Sequence, residues 1–234
     1  LSRRPHCARI ARKAEKGYDG GVPAFGVRVK TDYTQGRTNF MNEKTYVELI
    51  GQILESLGNT IDEVKRCLFS RDKRRLTHAE KAFALDLKSS LPLCEALIAK
   101  KEKLQGDQEF LALLPSLQRL GIAGEDLLQG TRTTLEAEIS LTDKAFGEIS
   151  EVMALVKDLA RDTNDALATG NVRFREYARA EAKHAIDRVE EYGLDHEQRL
   201  TVGICSPRAS FVYLAIMRSL KRIAMELASL VEKA

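Results

Sequence analysis

Apolar residues recur in alternating steps of three and four along most of this chain, the spacing of helices that each bury one face. Val47, Ile50, Leu54, Leu57, Ile61, Val64 and Leu68 predict a first long helix, which the basic run Arg71 to Arg75 is expected to end. Thr77 and Glu80 stand in capping-box spacing and predict the start of a second. Its seam passes Phe83, Leu87 and Leu91 and resumes at Leu93 and Leu97, so Pro92 predicts a kink there and not a stop. Gly106 and Asp107 separate it from a third helix, 108–129, which Gly130 is expected to close. The pattern then starts again. Leu135, Ile139, Ile149, Val156 and Leu167 lie on the seam of a fourth helix ended by Gly170. Asn171 caps a fifth, with Phe174, Ala178, Ala182, Ala185 and Val189 inward and Gly193 at its end. A connector, 194–205, leads to Ser206 and Pro207, an N-cap serine followed by proline at the first helical position of a sixth helix.

The last helix echoes the third. Its seam, Tyr213, Ile216, Leu220, Ile223, Leu227 and Leu230, falls 103 positions after Phe110, Leu113, Leu117, Leu120, Gly124 and Leu127. Ser219-Leu220-Lys221-Arg222-Ile223-Ala224 likewise echoes Ser116-Leu117-Gln118-Arg119-Leu120-Gly121. The first and fourth helices align at an offset of 99. The expectation is an all-α chain of two tandem three-helix bundles, residues 42–131 and 132–234, with six long antiparallel helices side by side. Arg119 and Arg222 occupy equivalent positions, which predicts a shared structural role such as bridging the two bundles.

Composition agrees with helices: aromatics are 6%, tryptophan is absent and the chain of 234 residues is rich in Leu, Ala, Glu, Lys and Arg. No apolar run approaches the roughly 18–20 residues of a membrane span, and no signal-peptide pattern is evident. Cys7, Cys67, Cys94 and Cys205 form no CxxC pair, and the last three read as free thiols in a reducing cytoplasm. The net charge of +3 conceals an asymmetry, because residues 1–40 hold nine Lys/Arg against three acids and the rest sums to −3. The body therefore carries no charge bias pointing to nucleic acid. Residues 1–41, broken by Gly20, Gly21, Pro23, Gly26 and Gly36, leave several readings open. They can be a poorly ordered basic tail, an arm on phosphate or a membrane surface, a linker from a larger transporter, or sequence upstream of a natural start at Met41.

The wording of the last 40 residues is the most specific in the chain. His196-Glu197-Gln198-Arg199-Leu200, Gly203-Ile204-Cys205-Ser206-Pro207, Tyr213-Leu214 and Leu220-Lys221-Arg222-Ile223 resemble the final helix of the PhoU domain family and its approach. These are helical phosphate-uptake regulators, and the same type of domain occurs as a soluble tail on sodium–phosphate cotransporters. The resemblance spans about 42–234 and implies a non-enzymatic regulator of phosphate transport or signalling. It would be cytoplasmic, at the inner face of the membrane, docking on a membrane transporter or its sensor apparatus and meeting the membrane only through that partner, with a homodimer as a further arrangement. It also implies surface metal sites, built from acids four apart on each middle helix, an Asp-His step and an Asn on each third helix. Here that pattern is eroded: the middle-helix pairs fall on Lys183 and Asp187 and on Asp86 and Ser90, and the Asp-His steps fall on Met225-Glu226 and Ile122-Ala123. The Asn positions are Ser229 and Asp126. No cofactor is the leading expectation. The alternative is a divalent or iron-type metal held by Asp86, Asp187 and Glu226.

Other groupings are weaker. Glu181-x-x-His184 followed by Asp187 has di-iron spacing, but no second Glu-x-x-His exists, so a solvated polar stripe is expected. His196 and Arg199 either contact an anion near the Ser206 helix start or pack against the connector. Arg71, Lys73, Arg74 and Arg75 form a solvated turn or dock on an acidic partner or lipid headgroups. No Gly-rich phosphate loop, no nucleophile–histidine–acid order and no zinc spacing stands in the sequence, so no enzyme class is supported.

Overall fold

The computed structural model describes residues 43–100, 103 and 105–233; the expectations for residues 1–41 lie outside these. The described residues form seven helices and no strand: α1 (Glu43–Ser70), α2 (Lys73–Ser89), α3 (Leu91–Ala99), α4 (Gln105–Glu136), α5 (Asp143–Thr169), α6 (Val172–Thr201) and α7 (Pro207–Lys233).

Local chemistry sets the boundaries, and it corrects several expected ones. The turn after α1 is only Arg71-Asp72, with Arg71 at φ 56° and Asp72 as the N-cap. The Asp72 carboxylate accepts from the backbone N–H groups of Arg74 and Arg75 at 2.9 and 3.0 Å. Hence the basic run opens α2, and Thr77 lies inside the helix with its hydroxyl on the Lys73 carbonyl. α2 and α3 are separated by Ser90 alone, which keeps right-handed helical dihedrals (φ −81°, ψ −20°). Pro92 falls in the first turn of α3, where its missing N–H leaves no bond unmade. One helix gives way to the next there without the chain leaving helical dihedrals.

Gly130 does not close a helix. α4 runs through it to Glu136, past the segment boundary expected at 131, and Glu138 supplies the left-handed residue at φ 52°. Gly130 instead faces Ile216, whose Cγ1 would meet a Cβ there at 3.4 Å. Gly193 is likewise internal: α6 continues to Thr201, and Gly203 at φ 77° takes the terminating position. The connector shrinks to 202–206. Gly170 (φ 61°), Asn171 and Ser206 act as expected, the Ser206 hydroxyl accepting from the Ala209 N–H at 3.2 Å.

Four helices make the centre. α1 packs against α5 and α4 against α7, while α2 covers α1 and α4 and α6 covers α5 and α7. Both central pairs are antiparallel: Lys157 reaches Asp62 at 2.6 Å and Phe146 meets Phe69, and Ser116 meets Ser229 at 3.0 Å. One continuous apolar core runs through them, from Tyr46 and Phe110 at one end to Ile149 and Tyr213 at the other. Ala178, Ala182, Ala185 and Val189 face it as the period predicts, but Phe174 is 46% exposed.

Gly147 and Gly193 lie within helices, and a Cβ at either would meet nothing within 4 Å. Replacing each by alanine is expected to raise stability by about 0.5–1 kcal/mol, read from urea denaturation. A loss of stability at either site would contradict the open surroundings.

Candidate functional site

The C-terminal wording that is most distinctive in the sequence builds a buried polar cluster. Arg199 on α6 binds both carboxylate oxygens of Glu148 on α5, at 2.6 and 2.7 Å. Tyr213 on α7 donates its hydroxyl to the same carboxylate at 2.7 Å, and Lys144 stands 3.9 Å away. His196, only 2% exposed, stacks on the Tyr213 ring with centroids 4.2 Å apart, and its Nδ1 lies 3.4 Å from Arg199 Nη2. The His196 and Arg199 readings are thus resolved: the histidine packs on the last helix, and the anion on Arg199 is the protein's own glutamate. Glu148 itself escapes a reading of apolar periodicity, although an acid beside Ile149 on the inward face of a long seam is the signal that could have found it.

Burial is the largest influence on Glu148 and pushes its pKa up, yet Arg199, Tyr213 and Lys144 together hold it below the usual carboxylate range. Burial, with the Glu148 hydrogen bond added, pushes the Tyr213 hydroxyl well up. Burial and the adjacent Arg199 push His196 below its ordinary 6.5. The unfolded chain therefore takes up a proton on His196 near 6.5 while the folded chain resists it. Stability is full above that pH and drains away as pH falls through it toward the folded value. Between about pH 7.5 and 5.5 the melting temperature should fall in the parent protein and stay nearly flat in His196→Phe, which keeps the ring stack. An equal fall in both would remove His196 as the cause.

A second cluster lies at the opposite end. Asp107, 1% exposed, accepts from the Tyr46 hydroxyl and from Lys100 Nζ, both at 2.5 Å, and Tyr46 stacks on Phe110. Burial, the Asp107 hydrogen bond and its charge push the Tyr46 hydroxyl up to about 12. Each end of the bundle thus has a buried carboxylate held by a tyrosine and a cation.

Between the ends, α4 and α7 are joined by reciprocal ion pairs. Arg119 Nε reaches Glu226 at 2.7 Å, and Arg222 pairs with Asp126. Arg119 and Arg222 thus each tie α4 to α7. Ser116 sits beneath, its hydroxyl shared by Ser229, Arg119 and Lys233.

The expected metal ligands are dispersed. Asp86 on α2 accepts from the Ser56 hydroxyl at 2.5 Å, Asp187 on α6 pairs with Lys183, and Glu226 on α7 pairs with Arg119. Among the described residues no three His, Cys, Asp or Glu side chains converge as a metal would require. Each of the three has one carboxylate oxygen engaged by a neighbour within the protein. Glu181 and His184 face each other at 3.9 Å on the exposed side of α6, apart from the Asp187–Lys183 pair. Cys67 is buried and Cys94 and Cys205 are partly so, all three as free thiols.

A groove of about 570 Å³ runs along α1 and α5. Its width follows from small residues: Gly51, Gly58, Ala160 and Ala168 line it, with Gln52, Asn59, Lys157 and Asn164 among its polar groups. No described helix is long and apolar enough to cross a membrane.

The fold is similar to that in the crystal structure of PhoU from Pseudomonas aeruginosa, with a TM-score of 0.56 at 12% sequence identity. The likeness covers 82% of this chain and 90% of that one. No protein-family model and no curated protein sequence matches the chain. The fold is PhoU-like and all-α.

Proposed function

We propose that this chain is a non-enzymatic regulator of phosphate transport that acts by docking on a membrane phosphate transporter or its sensor apparatus. The observation that carries the reading is a likeness running over nearly the whole length of PhoU. The interior is consistent with a binding role: its buried charges are committed to one another, as Glu148 to Arg199 and Asp107 to Lys100, so they brace helices and do not face a substrate. Recognition then falls to the helix surfaces, and the α1–α5 groove, floored by small residues and edged by polar ones, is the surface we assign to the partner.

Two measurements test the reading together. Deleting the gene should change phosphate uptake or the response to phosphate starvation, and the tagged full chain should co-purify a phosphate transporter subunit from native membranes. Unchanged uptake and signalling in the deletion strain would sink it.

A further inference from the structure

α6 opens with Val172-Arg173-Phe174-Arg175-Glu176-Tyr177-Ala178-Arg179. Ala178 is buried, yet Val172, Phe174 and Tyr177 are 61%, 46% and 53% exposed. Phe174 is the member of the inward seam nearest the start of α6, and there the bundle leaves half of it in water. Three large apolar side chains within six residues of a helix start are more than scattered surface exposure explains.

The charges around them have one sign. Arg173, Arg175 and Arg179 face a single acid, Glu176, in this stretch. Arg175 is held at the turn, donating to the Gly170 carbonyl at 2.8 Å. Among the described residues neither Arg173 nor Arg179 has a carboxylate partner, whereas Arg75, Arg119, Arg132, Arg188 and Arg222 all do. The helix N-terminus adds partial positive charge of its own, since Asn171 satisfies only the Arg173 N–H.

Topology brings further apolar surface to this end. α5 is antiparallel to α1, so α6 starts where α1 starts; α2 is antiparallel to α1, as the Ser56–Asp86 and Glu63–Arg75 contacts require, so α3 lies at that end too. α3 exposes Leu91 and Ile98. A second copy of the chain is a poor occupant, because a two-fold contact would set two patches of the same positive sign together. Arginines interleaved with aromatic rings suit the interfacial layer of an anionic bilayer. Guanidinium groups bind phosphodiester oxygens, and Phe and Tyr rings sit at the level of the headgroups.

We infer that the end of the bundle formed by the first two turns of α6 docks on the anionic phospholipid headgroups of a bilayer. Arg173 and Arg179 take the phosphates, and Phe174 and Tyr177 insert at the level of the headgroups. This does not rest on the transporter reading, because a protein-free bilayer suffices. The test is flotation of the full chain with vesicles of phosphatidylcholine alone or with phosphatidylglycerol added. Binding is expected only to the phosphatidylglycerol vesicles, weakening steeply with salt. The double variants Arg173→Glu/Arg179→Glu and Phe174→Ser/Tyr177→Ser should each weaken it by about tenfold or more, with melting temperature unchanged. The inference is overturned if the parent chain does not bind. It is equally overturned if both double variants bind as well as the parent, which would put the contact elsewhere, such as residues 1–41. Loss of transporter capture without loss of vesicle binding would assign this end to a protein partner and overturn it too.

Discussion

Replacing Arg199 with methionine is expected to remove about 3–5 kcal/mol of stability at neutral pH, a cost characteristic of breaking a buried ion pair from one side. The guanidinium is the only cation within 3 Å of Glu148 among the described residues, and Glu148 is 5% exposed. Without it the carboxylate keeps only the Tyr213 hydroxyl and the distant Lys144, so burial becomes the ruling influence and raises its pKa above the unfolded value. A raised folded pKa makes the defect largest when the group is charged. The difference between variant and parent should therefore shrink as pH falls and Glu148 takes a proton. Urea denaturation at neutral and mildly acidic pH gives both numbers. The double variant Glu148→Leu/Arg199→Met should recover most of the loss, because no unpaired charge remains. A loss no larger than that of a surface arginine such as Arg218→Met would show that the pair does not brace the bundle.

Gly124→Leu should also be damaging, although Leu227 stands at the position that echoes it 103 residues later in the sequence. A Cβ at 124 would stand 2.6 Å from Phe83 Cζ and 2.7 Å from Cε1, closer than carbon atoms can approach. Phe83 is 2% exposed, so overpacking of about 1–3 kcal/mol is expected for the full leucine side chain. Around the echoed positions 124 and 227 the space is filled in opposite ways. In the first, α2 contributes Phe83 and α4 a glycine; in the second, α6 contributes alanines at 178, 182 and 185 and α7 a leucine. Phe83→Ala made together with Gly124→Leu should therefore lose less than the sum of the two changes. Strict additivity in thermal or urea melts would refute the volume exchange.

That exchange marks where sequence pattern stops being informative. Period gave the long helices, the all-α class and the inward seams, because burial of a helix face is written directly in its spacing. Glycine was less legible: Gly170 ends a helix, whereas Gly124 and Gly130 lie inside one, where each faces a side chain from another helix. The residue that decides between cap and close approach lies far away in the chain, as Phe83 and Ile216 do, and no local window contains it. The same holds for Glu148, whose partners stand 51 and 65 positions later. Arg119 and Arg222 were recognisable because the echo between segments is itself long-range. Asp86, Asp187 and Glu226 match the family's metal pattern only by position, and each has a neighbour of its own.

The pairing of α1 with α5 and of α4 with α7 also constrains how the chain can fold while it is being made. α1 must wait for α5 before its second apolar face is covered, and α4 must wait for α7, about 100 residues downstream, an interval of about 5–20 s at ordinary elongation rates. Because α7 follows all of the helices it packs against in chain order, the Tyr213 contact to Glu148 and the Glu226 contact to Arg119 close only once α7 itself has emerged from the ribosome. The emerging first half therefore spends that interval with an open apolar flank, and truncation anywhere in α7 leaves both halves exposed to aggregation or proteolysis.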